Sequence, residues 1–451
     1  MFYRLKENYL LRGWEKLPCA VVNKENGQAM FISRDEMEAL KLCNGAIDVS
    51  LPLIPEKLRE LISEIAGKGI AEVCEAGERI LPEQEYHCYP SRYIRTAHWS
   101  VTGKCNYKCR HCYMSAPDAK LGELSRDEVM GIIDQLAECG VMNVSLTGGE
   151  ALVRRDFFDI VDALLEKGIH ITRIYSNGKL VTDELLDKLT ERGIPGAEKY
   201  AEEAFLRCRD KGFPTGAEMC IFEANKHTLR ETVNRLASWG CKALKTNPVS
   251  DVGAWKEGGC GKSISIDELY RLYLDYIPHY YEDGMPLSLQ LGGFFMASPK
   301  RPEEIIVPLE KSCKGPQRMC ICGHARMVMY ISAEGRTLPC MALSGMDIQH
   351  RFPLISERGL AKCLTDSFYI RFINTRVSEY MDKNPDCAEC EYAMECVGGC
   401  RAGGLENAPD DLYAPDMYAC ELFKGGWASK IKETAKAASE KYIQNKTEVT
   451  Q

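Results

Sequence analysis

Residues 125–150, SRDEVMGIIDQLAECGVMNVSLTGGE, decide the fold. Ser125 with Glu128 three residues on spells a capping box, the start of a helix. Val129, Ile132, Ile133, Leu136 and Ala137 keep a 3.6-residue period, and Gly140 stops it. Val141 to Thr147 is a short apolar run, which reads as a buried parallel strand, and it closes in Gly148-Gly149-Glu150. Working outward, Ile94 to Val101 predicts a preceding strand, Phe157 to Glu166 a helix, Ile169 to Tyr175 a strand and Asp183 to Glu191 a helix. Further on, Glu218 to Phe222 predicts a strand. Thr228 with Glu231 predicts a second capping box for a helix to Trp239, and Lys242 to Thr246 a strand. This alternation means stacked βαβ units on a parallel sheet, an α/β fold that is either a barrel or doubly wound. It breaks once. The helix ending near Gly193 is followed only by Ile194-Pro195-Gly196 before the helical run Ala197 to Lys211. A strand belongs there, and three residues cannot form one.

The chain has 451 residues, enough for roughly three domains. Lys and Arg total 57 against 65 Asp and Glu, a net charge of −8, which argues against a nucleic-acid partner. At 45% hydrophobic and 27% charged, the composition is that of a globular chain with sizeable cores. No apolar run approaches the length of a membrane span, and the opening MFYRLKENYL lacks an apolar signal region, so the expected location is cytoplasmic. Near the start, Ala20, Val22, Ala29 and Phe31 flank Lys24-Glu25-Asn26-Gly27, a hairpin signal. Helices are expected over Arg34 to Leu42, ended by Asn44-Gly45, and over Pro55 to Ala66. Two strands with such helices make a winged-helix-like α+β module, and Tyr86 to Tyr93 reads as a linker. Residues 310 to 425 hold ten of the 22 Cys and few periodic segments, so metal ligation is the expected scaffold there. Ala428 to Gln451 reads as a charged helix with a frayed tail.

So many cysteines in a chain without a secretion signal point to metal or redox chemistry rather than disulfides. Cys105, Cys109 and Cys112 are spaced C-x3-C-x2-C just after a predicted strand, where parallel α/β folds hold their chemistry. Three thiolates so close can hold three corners of a [4Fe–4S] cubane and leave the fourth iron open to a small molecule. A zinc knuckle with His111 as fourth ligand is the competing reading. Gly148 and Gly149 expose backbone groups after a strand, and the Glu150 carboxylate can take an ammonium.

Together these residues resemble the radical S-adenosylmethionine (SAM) superfamily. The resemblance implies that Cys105, Cys109 and Cys112 bind the cluster and that SAM chelates its open iron. It implies that Gly148, Gly149 and Glu150 hold the methionyl amine, that Tyr113 lies near the adenine, and that Ser176 and Asn177 line the same ligand. Downstream, Cys322-x12-Gly335-x4-Cys340 is followed by Cys387-x2-Cys390-x5-Cys396-x3-Cys400 and then Cys420. C-x2-C is also a zinc-ribbon spacing. The whole array resembles the SPASM domain of radical SAM peptide-modifying enzymes. That resemblance implies two auxiliary [4Fe–4S] clusters, the first on Cys322, Cys340 and Cys400 and the second on Cys387, Cys390, Cys396 and Cys420. Cys313, Cys320 or a substrate thiolate then completes the first. The pattern of Tyr9 to Arg12, Ala20 to Val22, Ala29 to Ile32 and Leu40 to Gly45 resembles the PqqD-like element of ribosomal peptide pathways, which binds a leader peptide at a sheet edge.

These resemblances imply a division into a leader-peptide recognition module at 1–88, a partial (βα)6-type TIM barrel at 89–305, a SPASM domain at 306–425, and a helix and tail at 426–451. The implied activity is reductive cleavage of SAM to a 5′-deoxyadenosyl radical. That radical takes hydrogen from a ribosomally made precursor peptide, and a thioether or carbon–carbon crosslink forms, with flavodoxin or ferredoxin as reductant. The alternatives are an anaerobic sulfatase-maturing enzyme and a non-catalytic zinc and peptide-binding protein. Sulfatase-maturing relatives carry an Asp base after the second SPASM cysteine, where this chain has Met341. Gly258 to Ser263 imitates a phosphate loop but has Lys256 where the motif needs Gly. Cys19, Cys43, Cys74, Cys88, Cys139, Cys208, Cys220, Cys241, Cys260 and Cys363 fit no motif and are expected to be buried small residues.

Overall fold

The computed structural model describes every residue except 115, 117, 118, 121, 195–201, 251, 259, 260, 450 and 451. Cys260, the middle of the phosphate-loop imitation and most of the segment where the missing strand belongs lie outside the described residues.

The N-terminal region holds the expected hairpin and more. Strands β1 (Phe2–Leu5), β5 (Asn44–Asp48) and β6 (Ala71–Cys74) form one antiparallel sheet in the order β5-β1-β6. Strands β2 (Tyr9–Glu15), β3 (Leu17–Asn23), β4 (Gln28–Phe31) and β7 (His87–Arg92) form a second, in the order β4-β3-β2-β7. The predicted hairpin is β3–β4, with Ala20 opposite Phe31 and Val22 opposite Ala29. Helices α1 (Arg34–Leu42) and α2 (Glu56–Gly67) pack Met37, Leu40, Ile62 and Ile65 against Tyr3, Leu5, Leu11 and Val21. Seven strands therefore replace the two expected. Asn44 begins β5 rather than merely ending α1.

The expected linker is strand β7, paired in parallel with β2. Pro90 hides it in sequence, and it is tolerated because β7 is an edge strand. Tyr89 stacks on Trp14 at 5.3 Å between ring centroids, and Tyr93 meets it edge-on at 4.8 Å. The Trp14 indole N–H and the Ser91 hydroxyl both donate to the Cys139 carbonyl, at 3.1 and 3.0 Å.

The central region alternates as predicted. β8 (Thr96–Ser100), α3 (Arg126–Glu138), β9 (Asn143–Thr147), α4 (Phe157–Glu166), β10 (His170–Ile174) and α5 (Asp183–Glu191) form one parallel set, β8-β9-β10. After α6 (Glu202–Asp210) comes a second set: β11 (Gly216–Ile221), α7 (Leu229–Ser238), β12 (Ala243–Pro248), α8 (Gly253–Gly258), α9 (Ile266–Glu282) and β13 (Ser288–Leu291), paired as β11-β12-β13. The capping box on α3 forms, with the Glu128 N–H donating to Ser125 Oγ at 3.3 Å and the Ser125 N–H to Glu128 Oε2 at 2.8 Å. The one predicted on α7 does not. A 3-10 turn, Lys226–Thr228, leads into that helix, and Thr228 Oγ1 donates to the Asn225 carbonyl instead.

Among the described residues no strand lies between β10 and β11, and each is the edge of its own sheet. Helix α6 spans the gap. Its Ala204 and Cys208 enter the core of the first set and its Phe205 the core of the second, while Arg207 pairs with Asp183 of α5 at 2.8 Å.

Both sheets are extended further, the first by strands of the Cys-rich segment. β13 is extended by antiparallel β14 (Phe295–Ser298) and β15 (Arg301–Ile306), while β16 (Val328–Ile331) adds in parallel to the free side of β8 and carries β17 (Thr337–Leu338). Met329, Tyr330, Ile331, Leu338, Phe352, Tyr369 and Leu405 share one apolar core with β8, β9 and α3. Burial therefore organises much of the segment for which metal ligation was the expected scaffold. The C-terminal helix, Trp427–Val449, forms as expected, and the end of the expected tail, 450 and 451, lies outside the described residues. Ile431 and Ala435 are fully buried against α9, and Ser439 Oγ donates to the Pro302 carbonyl at 2.7 Å. No described helix is long and apolar enough to cross a membrane.

Gly140 marks where the N-terminal module meets the central strands. It ends α3 at φ +68°, and a Cβ there meets the Tyr89 ring and lies 2.7 Å from Trp14 Nε1. Gly140→Ala is expected to cost about 2 kcal/mol or more, from backbone strain and overpacking together. The checks are a lower thermal midpoint and faster proteolysis between residues 75 and 95.

Candidate active site

The loop after β8 carries Cys105, Cys109 and Cys112, and the segment after β9 holds it. The Gly149 N–H donates to the Thr102 carbonyl and the Glu150 N–H to the Lys104 carbonyl, both at 2.9 Å. This close approach explains the glycine pair. A Cβ on Gly148 would lie 2.5 Å from the Thr102 oxygen, and one on Gly149 would strike the Lys104 carbonyl and reach 3.0 Å from Cys105 Cβ. On the other side the Ala254 N–H, at the start of α8, donates to the Cys112 carbonyl at 3.0 Å.

Glu150 is almost fully buried. Its carboxylate accepts from the Leu152 N–H at 3.1 Å, the Asn177 N–H at 2.6 Å and the Ser176 hydroxyl at 3.1 Å. A carboxylate offers about four acceptor positions, so one is left for a ligand's ammonium. Burial raises its pKa, against the pull of those three donors. Asn177 continues the network, its amide donating to Asn106 Oδ1 at 2.7 Å and lying 3.8 Å from Cys105 Sγ. The Tyr107 N–H also donates to that sulfur, at 3.4 Å. Burial raises the Cys105 and Cys109 thiols, and the charge of Cys112 adds to both, so the three sulfurs lie within electrostatic reach. Among the described residues no three His, Cys, Asp or Glu side chains converge tightly enough to hold a single metal ion. A cubane asks for something else, since each thiolate takes a separate corner iron. The expected residues fit it: three neighbouring thiols, one already accepting two N–H groups, beside a backbone cleared of side chains. Tyr113 packs into the interior, with its hydroxyl 3.3 Å from that of Tyr330 on β16.

This loop opens on a cavity of about 1500 Å³ that also reaches Ser176, Asn177, Cys340 and Cys400. In the downstream array, Cys340 is raised by burial and then by the charges of Cys400 and Cys322, and Cys322 likewise by burial and Cys400. Cys396 is pushed up to about 11 by burial and Cys420, and Cys420 in turn feels Cys387 and Cys390. Cys322, Cys340 and Cys400 thus lie within electrostatic reach of one another, as do Cys396 and Cys420, and Cys420 with Cys387 and Cys390. Cys320 faces elsewhere: its sulfur receives Arg376 at 3.3 Å and Arg326 at 3.6 Å. Cys313 packs with Ile321, Val377 and Tyr380, beside Cys387.

Sequence reasoning passed over several residues here. Asp416, buried, accepts the Cys400 N–H at 2.8 Å and closes the turn before that thiol. Its only sequence signal is its place four residues before Cys420. Arg401 lays its guanidinium 4.5 Å over the Tyr380 ring and donates to the Gly398 and Ala414 carbonyls. Cys220, read as a core residue, lines the main cavity, and its thiol is pushed up to about 11 by burial, then Glu218 and Cys109. Cys88 is exposed, while Cys19 and Cys74 are half-buried, so the expectation of buried small residues fails for them. Nothing in a single sequence separates these thiols from core ones.

His98 on β8 also faces the cavity, with Nδ1 2.9 Å from Ser145 Oγ. Burial first, then Arg173, Lys245 and His324, push its pKa from 6.5 down to about 4. The unfolded chain therefore takes up this proton first. The stability His98 contributes is present above pH 6.5 and is lost as pH falls towards 4. Acid titration of the unfolding free energy is expected to show a shallower loss over that window in His98→Gln than in the wild type.

Residues 99–198 match the Radical SAM superfamily. The chain is 21% identical over 366 residues to the AdoMet-dependent heme synthase of Methanosarcina barkeri, covering 70% of this chain and 96% of that one. It is 23% identical over 340 residues to the antilisterial bacteriocin subtilosin biosynthesis protein AlbA of Bacillus subtilis, covering 69% and 68%. Its fold is similar to that of Streptococcus suis SuiB bound to S-adenosylmethionine, with a TM-score of 0.58 at 16% identity over 93% of this chain and 100% of that one. SuiB is also solved with its precursor peptide SuiA. With a three-cysteine loop, a cleared glycine pair and a buried carboxylate inside the matched segment, this chain carries a radical SAM domain.

Proposed function

We propose that the protein is a peptide maturase in which Cys105, Cys109 and Cys112 hold a [4Fe–4S] cluster and Glu150, Gly148, Gly149, Ser176, Asn177 and Tyr113 hold SAM beside it. Cys322, Cys340 and Cys400 hold one auxiliary [4Fe–4S] cluster, and Cys387, Cys390, Cys396 and Cys420 the other. The observation that carries this reading is the single cavity that joins the first cysteine loop to Cys340 and Cys400. Ligand pockets for small molecules run to about 1000 Å³, so a cavity of about 1500 Å³ has room for SAM and a substrate segment together. When bound, the reduced cluster supplies the electron that splits SAM into methionine and a 5′-deoxyadenosyl radical. The chain's own residues do the rest. The Glu150 carboxylate fixes the amine end, the Ser176–Asn177 turn braces that carboxylate, and the surrounding apolar walls keep water from the radical.

A peptide substrate is supported by the fold likeness to SuiB, which runs through nearly the whole chain, and by the sequence likeness to AlbA. In this reading residues 1–88 take the precursor's leader by strand addition, the sheet order β5-β1-β6 leaving β5 and β6 as edges. Residues 89–305 are a partial (βα)6-type barrel and 306–425 the two-cluster domain. The product is a thioether or carbon–carbon crosslink. The likeness to a heme synthase favours a second reading, with an iron porphyrin on the way to heme as substrate.

Anaerobic reconstitution is expected to load about twelve irons per chain, three cubanes, and to yield 5′-deoxyadenosine from SAM and dithionite. Cys109→Ala is expected to abolish that product, and retention of full turnover would falsify the proposal. Mass spectrometry of a neighbouring short peptide co-expressed with the enzyme is expected to show loss of two hydrogens per crosslink. An unchanged peptide together with a turned-over iron coproporphyrin would establish the second reading instead. Glu150→Gln keeps the shape and removes the buried charge. Its NH2 must face at least one of the three donors that the carboxylate satisfies, so it is expected to lower the thermal midpoint while weakening SAM about 10-fold or more, the worth of one charge-assisted hydrogen bond. Equilibrium dialysis on the reconstituted protein measures this.

A further inference from the structure

Lys311 lies outside every motif, yet two segments of the cysteine array, one before Cys322 and one running from Glu395 to Cys400, meet on it. Its ammonium donates to the Ile321 carbonyl at 3.3 Å and to the Gly399 carbonyl at 2.5 Å, and its backbone N–H donates to the Glu395 carbonyl at 2.8 Å. Each accepting residue immediately precedes a cysteine: Cys322, Cys400 and Cys396. The first two belong to one proposed cluster and the third to the other.

The charge around this ammonium is unusual. No carboxylate among the described residues makes an ion pair with Lys311. Burial lowers the pKa of this amine, and the groups within its electrostatic reach that can turn negative are the thiols of Cys400, Cys322 and Cys396. The neighbouring Arg401 is a second cation, buried and bonded to backbone carbonyls. The acid on this side, Asp416, is occupied by the Cys400 and Tyr418 N–H groups. A half-buried ammonium bonded only to carbonyls is still partly desolvated without a counter-ion, so the site lacks an anion that the thiolates and their irons bring.

We propose that Lys311 is the built-in counter-charge shared by the two auxiliary clusters, a positioning residue that draws their ligand segments together and makes both clusters easier to reduce. The proposal rests on the cluster assignment above. A fixed positive charge beside a negatively charged cluster stabilises the added electron, so removing it lowers the reduction potential. The SAM-binding cluster, held by a different loop, serves as internal control.

The experiment is an EPR-monitored redox titration of the whole reconstituted enzyme, with iron counted first. Wild type that binds only about four irons has no auxiliary clusters, which defeats the assignment before any variant is made. With all clusters present, Lys311→Gln is expected to keep its iron and shift the auxiliary midpoints downward, leaving the third signal in place. Lys311→Arg, which keeps the charge, is expected to titrate like wild type. Superimposable Gln and wild-type titrations, or an equal shift of all three signals, overturn the proposal. Where the Gln variant assembles no auxiliary clusters, the Arg variant decides. Assembly at the wild-type midpoints supports a role for charge, and failure to assemble or shifted midpoints overturn it.

Discussion

The site depends on one backbone contact, the pairing of Gly149 and Glu150 with the Thr102 and Lys104 carbonyls. It sets the cysteine loop against the end of β9 and brings a buried carboxylate within reach of the same small volume. Both partners must be bare backbone there, because any side chain on either glycine collides with the loop. From that contact the network runs outward through Glu150 to Ser176 and Asn177, and back through Asn177 to Cys105. Three consecutive βα connections are thereby joined at one end of the sheet, where an α/β fold places its ligands.

The central alternation was legible because its signals are local. The Ser125–Glu128 capping box, the period of α3 and the Gly140 stop all formed as read. So did the three-cysteine loop's place after a strand. What stayed hidden was non-local. β7 looked like a linker because Pro90 argues against a strand, and only its pairing with β2 reveals it as one. The α7 capping box failed because Asn225 had already organised the turn, its side chain bonded to the Phe222 N–H and the Cys220 carbonyl. Lys311 was invisible for the same kind of reason, since carbonyls from two distant segments, Ile321 and Glu395 to Gly399, converge on it only in the fold.

The expectation that the Cys-rich segment leans on metal also came from composition alone. Its cysteines and glycines mask a real apolar contribution. Tyr330, Ile331, Phe352 and Tyr369 are buried in the same core as Trp99 and Leu146. The thiols therefore sit at the rim of a packed scaffold, and binding metal need not supply the whole cost of ordering it.

The insertion of β16 beside β8 has a consequence for how the molecule is made. β8 is synthesised early and gains β9 as soon as that strand leaves the ribosome, but its other flank waits until Val328–Ile331 has been translated. Until then one row of backbone amides and carbonyls stays open next to the cysteine loop, and a nascent chain in that state is vulnerable both to strand-pairing with a neighbour and to premature oxidation. Maturation with iron then belongs after release of the full chain, when the last third of the polypeptide has shut that flank.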